Sequence, residues 1–76
     1  MILYYSIAKE GKYKKDEDGN YVDCAVAIAK GYISHVENEE ERIKEANNMK
    51  AWVCSQIEMP QIHVKAITKE QFERIK

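Results

Sequence analysis

From Val36 to Pro60 the chain reads VENEEERIKEANNMKAWVCSQIEMP, and this stretch limits the possible fold more than any other. Asn38 is a good N-cap, because its side-chain oxygen can accept from the orphan amides of a first helical turn. Glu41 lies three residues on, in the capping-box position. Glu39, Glu40 and Glu41 put three carboxylates at the positive end of the helix dipole. Ile43, Ala46, Val53 and Ile57 then share one face at helical spacing. Pro60 biases Met59 away from helical geometry, so the helix is expected to stop near Glu58. Such a rod, about 30 Å long, is enough to cover a small sheet.

Two residues break its pattern. Lys50 falls near the centre of the apolar stripe, where its stem can lie over the sheet while the ammonium reaches water. Trp52, the only tryptophan, falls well off the stripe. It either packs on the sheet edge or under the C-terminal segment, or it is an exposed anchor for a partner, a role in which Trp is enriched.

The rest of the 76-residue chain must supply that sheet. Ile2 to Ala8 reads as a strand, with Ile2, Tyr4 and Ser6 on one face and Leu3, Tyr5 and Ile7 on the other. Lys9-Glu10-Gly11 makes a turn. In GKYKKDEDGNYVDC, Asp18-Gly19 signals a two-residue hairpin, which sets Lys15 opposite Val22, Lys14 opposite Asp23 and Tyr13 opposite Cys24. Tyr21 to Lys30 fits either a strand or a helical face. The strand is preferred because the hairpin register supports it.

Gly31 ends that run, and Tyr32 to Val36 reads as a short strand leading into the helix. After Pro60, Ile62, Val64 and Ala66 alternate on one face of another strand. Thr68 and Gln71 form a capping box for a terminal helix, Lys69 to Lys76, docked by Phe72 and Ile75. The expected architecture is a single α+β domain over residues 1–76: about four antiparallel strands, one long helix and a short C-terminal helix.

Composition narrows the function classes. A net charge of −1 fits neither a strongly basic nucleic-acid binder nor a bulk-acidic DNA mimic. No apolar run reaches the roughly 18 residues of a membrane span. The N-terminus lacks the basic region and cleavage site of a signal peptide, so a cytoplasmic protein with reduced thiols is expected.

Chemistry is sparse. Cys24, His35, Cys54 and His63 are the right types for a zinc site, but none are paired at ligand spacing, and buried small hydrophobes are the simpler expectation for the cysteines. No Gly-rich turn or oxyanion-hole sequence accompanies either cysteine as a nucleophile. The DEDGN tip has the composition of a calcium loop. Aligned on Gly19, however, it places Lys14 at the first ligand and Ala25 at the bidentate glutamate. No metal or cofactor is expected, and no enzyme.

By elimination the expected role is a small protein-binding module. Chains of this size and composition are common among phage and mobile-element products, which favours an inhibitor of a host or defence protein, of the anti-CRISPR kind. The expected contact surfaces are the flank around Trp52, the acidic turn at Glu39, Glu40 and Glu41, and the hairpin tip at Asp16, Glu17 and Asp18. A homodimer through strand pairing or around Trp52 is a further expectation. The competing class is a nucleic-acid-binding or regulatory module that uses Lys9, Lys12, Lys14 and Lys15 with Tyr5 and Tyr13.

Overall fold

A computed structural model of the chain describes residues 2–29, 31 and 38–75. The architecture is α+β. Strand β1 (Ile2–Ile7) is followed by a single 3₁₀ turn at Lys9–Gly11 and by two short strands, β2 (Lys14–Lys15) and β3 (Tyr21–Val22). Then come β4 (Cys24–Ala29), helix α1 (Glu39–Gln56), a 3₁₀ turn at Gln61–His63, β5 (Val64–Ile67) and helix α2 (Lys69–Ile75). The expected Tyr32–Val36 strand lies outside the described residues.

The strands divide into a three-stranded sheet ordered β4-β1-β5 and a separate two-stranded ribbon of β2 and β3. Both β4 and β5 run antiparallel to β1, so they are parallel to each other, with α1 in the connection between them. The alternation of β1 divides the faces as its sequence implies. Leu3, Tyr5 and Ile7 are fully buried with Cys24, Val53 and Val64 in the main core, and Val26, Ile28, Met49, Ile57 and Ala66 pack against it. Burying such aliphatic and aromatic side chains contributes about 1.5–3 kcal/mol each, the dominant favourable term in a domain this small.

On the opposite face Tyr4 stacks on Phe72 of α2, with ring centroids 4.8 Å apart. The capping box of α2 closes reciprocally: Gln71 N–H donates to Thr68 Oγ1 and Thr68 N–H donates to Gln71 Oε1. Phe72 docks the helix, while Ile75 remains 38% exposed.

Helix α1 begins as its sequence dictates, with Asn38 Oδ1 accepting from Glu41 N–H at 2.7 Å. Its core face is Ala46, Val53 and Cys54, with Met49 and Ile57 partly buried beside them; Ile43 is only half-buried. The helix ends at Gln56, two residues short of the expected Glu58. Met59 N–H reaches back to the Cys54 carbonyl at 2.9 Å, and Glu58 takes a left-handed φ of 54°. This is a Schellman-type closure with glutamate where glycine is usual. Glu58→Gly is therefore expected to raise stability by about 0.5–1 kcal/mol, read as a higher urea midpoint at unchanged slope.

Two register expectations are corrected. The ribbon pairs Lys14 with Val22 and Lys15 with Tyr21, one residue off the two-residue hairpin. The cause is Asp16. Its backbone carbonyl accepts from Gly19 N–H, its Oδ1 accepts from the amides of both Asp18 and Asn20, and Gly19 sits at φ 84°. A type I turn followed by a left-handed glycine makes a three-residue loop, and the shift of one residue exchanges every face. Asp23 therefore does not pair with Lys14; its carboxylate accepts from Lys9 N–H at 2.7 Å. The second correction is Ile62, which leaves the strand face for the 3₁₀ turn and is 86% exposed.

Gly11 holds the end of β1 against the segment before β5. A Cβ there would stand 2.6 Å from Met59 Sδ and 3.2 Å from His63 Cβ, so only glycine fits without a shift.

Candidate interaction surfaces

The exposed side of α1 changes character along its length. Its first turns present Glu40, Glu41 and Lys44. Further on, Asn47, Asn48, Ala51, Trp52, Ser55 and Gln56 are all exposed, and none carries a charge. Trp52 lies at the middle of this uncharged flank and is 52% exposed, so the structure takes the exposed arrangement over packing at the sheet edge. Because α1 is fixed to the sheet by Ala46, Val53 and Cys54, the indole is presented from a rigid rod rather than a loop. Beside the flank, Ala51, Ser55 and the Glu58–Gln61 segment line a shallow depression of about 450 Å³.

The acidic turn is less uniform than its sequence implies. Glu40 and Glu41 are exposed. Glu39 is engaged within the chain: its Oε2 accepts from Arg42 Nη1 at 2.7 Å and its Oε1 accepts from Lys69 N–H at 2.8 Å. One carboxylate thus clasps the start of α2 to the start of α1. Arg42 is 8% exposed and lies 5.4 Å over the Tyr4 ring. Glu39→Gln is expected to lower stability by about 1 kcal/mol, since the pair is part-exposed and screened, and to raise hydrogen exchange at the Lys69 amide.

At the hairpin tip Asp16, Glu17 and Asp18 are all exposed, but the Asp16 carboxylate is engaged in building its own turn. Lys9, Lys12, Lys14 and Lys15 are exposed, as is Tyr13, and Lys15 Nζ lies 5.0 Å over the Tyr21 ring. Tyr5 is not part of this surface. It is fully buried, and its hydroxyl donates to the Ala46 carbonyl at 2.6 Å, tying β1 to α1.

The cysteines face the core. Burial pushes both thiols up, with Lys14 partly offsetting this at Cys24 and Lys50 at Cys54. A raised thiol pKa leaves little thiolate for attack or metal ligation. His35 lies outside the described residues, and among the described residues no three His, Cys, Asp or Glu side chains gather as metal ligands.

A cleft of about 380 Å³ at the end of the sheet is lined by Ser6, Asp23, His63 and Lys65, with Ile62 and Ile75 at its rim. Its residue types are those of a hydroxyl-imidazole-carboxylate relay. Such a relay needs the three side chains hydrogen-bonded in series, and Asp23 instead accepts from the Lys9 amide.

Sequence reasoning singled out Trp52 but missed the patch around it. The readable signal was that Lys50, the one charge between Asn47 and Gln56, falls on the core stripe rather than beside Trp52. Among the described residues no helix is long and apolar enough to cross a membrane. No family model, curated protein or solved structure matches the chain.

Proposed function

We propose that the protein is a non-enzymatic binding module that acts by occupying a surface on another protein through the Trp52 flank of α1. The observation that carries this reading is a half-exposed tryptophan at the centre of an uncharged helical surface. Interface centres are depleted of charge and enriched in tryptophan, whose large rigid ring loses little entropy on docking. A 76-residue chain can inhibit by occlusion alone, so the role expected of a small phage or mobile-element inhibitor fits this surface. Of the three expected contact regions, the flank leads. Glu40 and Glu41 extend it at one end as a charged rim, which tunes association rate more than affinity.

The test is a photo-crosslinking amino acid placed at Gln56, one turn from Trp52, in protein incubated with extract of the source cell. The reading expects one discrete protein adduct that is absent when the probe is at Glu70 on α2. Unlabelled wild-type protein suppresses the adduct and Trp52→Ala does not. Equal suppression by Trp52→Ala, or adducts only from Glu70, rejects the flank.

A second reading, single-stranded nucleic acid on the ribbon, is favoured by the exposed lysines beside Tyr13 and Tyr21. It loses Tyr5 as a stacking platform and has the acidic tip close by. Salt-sensitive retention on single-stranded DNA, abolished by Lys12, Lys14 and Lys15→Glu, would support it; indifference to polyanions would remove it.

A further inference from the structure

We propose that the cleft at the end of the sheet binds a small zwitterion, a free aliphatic α-amino acid, with its ammonium on Asp23, its carboxylate on Lys65 and its side chain between Ile62 and Ile75. The inference is independent of the Trp52 reading, which uses the flank of α1.

The cleft exists because α2 is too short for the sheet face it packs on. Its seven residues span about 10 Å, whereas the six residues of β1 span about 20 Å. Phe72 covers Tyr4, and the same face from Ser6 onward is left to the cleft. Strand pairing sets Lys65 of β5 directly beside Ser6, on the side opposite the core. Asp23 stands immediately before β4, beyond the Ile7–Cys24 pair, and lines the cleft from the other side of β1. A carboxylate and an ammonium thus come from the two strands that flank β1, on the order of 10 Å apart by strand spacing.

Neither charge is neutralised within the fold. Among the described residues no carboxylate pairs with Lys65. Asp23 accepts from a neutral donor, the Lys9 amide at 2.7 Å, which fixes the carboxylate in place without cancelling its charge. The walls are fixed as well. His63 N–H donates to the Pro60 carbonyl at 3.1 Å, and Ala8 N–H donates to the His63 carbonyl at 2.9 Å, so the 3₁₀ turn that carries Ile62 is tied to the end of β1.

The occupant follows from what the cleft offers. One exposed isoleucine is ordinary on a protein surface, but here two, 86% and 38% exposed, stand at the rim of a single cleft. They call for an aliphatic group. A ligand with one charge would leave Asp23 or Lys65 unmatched, whereas a zwitterion matches both. The charges of an α-amino acid, with a hydrogen bond of about 2.8 Å at each end, reach across roughly 9 Å, and the flexible lysine stem takes up the difference. A volume of about 380 Å³ suits a small molecule.

Mapping amide chemical shifts during addition of L-leucine tests the proposal on the full chain. Leucine is expected to shift the amides of Ser6, Asp23, His63 and Lys65 saturably and to leave those around Trp52 unmoved. 4-Methylpentanoate, which lacks the ammonium, and isoamylamine, which lacks the carboxylate, are each expected to bind the wild-type chain about tenfold more weakly, the effect of one charge-assisted contact in a part-open cleft. Asp23→Asn keeps an acceptor for the Lys9 amide, and in this variant the advantage of leucine over 4-methylpentanoate is expected to disappear. Lys65→Met, which keeps the stem, should likewise remove the advantage over isoamylamine. No shift up to the solubility limit of leucine overturns the proposal. So does equal binding of either single-charge analogue to the wild-type chain, or a shift pattern centred outside the cleft. The analogue comparison uses wild-type protein alone, so it decides the matter even where a substitution unfolds the chain.

Discussion

Tyr5→Phe is expected to flatten the alkaline limb of the stability curve, leaving a variant that loses far less stability above pH 10 than the wild-type chain. Tyr5 is fully buried, and its hydroxyl donates to the Ala46 carbonyl. Burial, reinforced by Cys54 and Glu45, raises its pKa from 10.0 to about 12. The folded state thus favours the neutral phenol. Below pH 10 the phenol is neutral in both states and the hydrogen bond contributes in full. As pH rises from 10 toward 12 the unfolded chain releases the proton first, so unfolding becomes progressively easier. A shift of this size corresponds to roughly 3 kcal/mol lost across that window.

Phenylalanine keeps the ring and abolishes the titration. At neutral pH the variant should be less stable by about 1 kcal/mol, the net worth of one buried hydrogen bond. Every other ionisable group is common to both proteins, so the difference between their urea midpoints isolates Tyr5. Midpoints that fall in parallel through the alkaline range would show that Tyr5 ionises as freely in the fold as outside it.

Trp52→Ala is expected to act in the opposite sense, sparing the fold and removing binding. An exposed side chain off the core face costs little to truncate, within about 0.5 kcal/mol of stability. At the centre of an interface the same truncation costs about 2 kcal/mol or more, which is roughly a thirtyfold loss of affinity for the crosslinked partner. Ser55→Ala and Asn48→Ala, on the surrounding flank, should each cost much less, because rim contacts mainly exclude water. Binding titrations of the three variants separate these outcomes. Equal losses from all three would mean that the surface has no dominant anchor.

What could be read from the chain in advance was mostly local. The caps at Asn38 and Thr68, the faces of β1 and the core role of Ala46 and Val53 all depend on residues within a turn or two of one another. The misses depend on distance or on a competing local bond. The hairpin register slipped because the Asp16 side chain binds two amides and converts a two-residue turn into a three-residue loop. Glu39 read as a free surface anion because its second partner, the Lys69 amide, lies thirty residues away. Tyr5 read as a stacking platform because alternation alone does not say which face of β1 receives α1. Trp52 was legible only in part. Its displacement from the apolar stripe followed from spacing, but spacing did not decide between packing at the sheet edge and exposure, and the structure leaves it 52% exposed.

On the proposed reading this indole stands in water until a protein covers it. Because the chain has one tryptophan, its fluorescence reports on that residue alone. In the isolated protein a water-like emission maximum and ready quenching by acrylamide are expected, with a blue shift and protection in the crosslinked complex. Emission that is already blue-shifted and unquenchable in the free protein would contradict it.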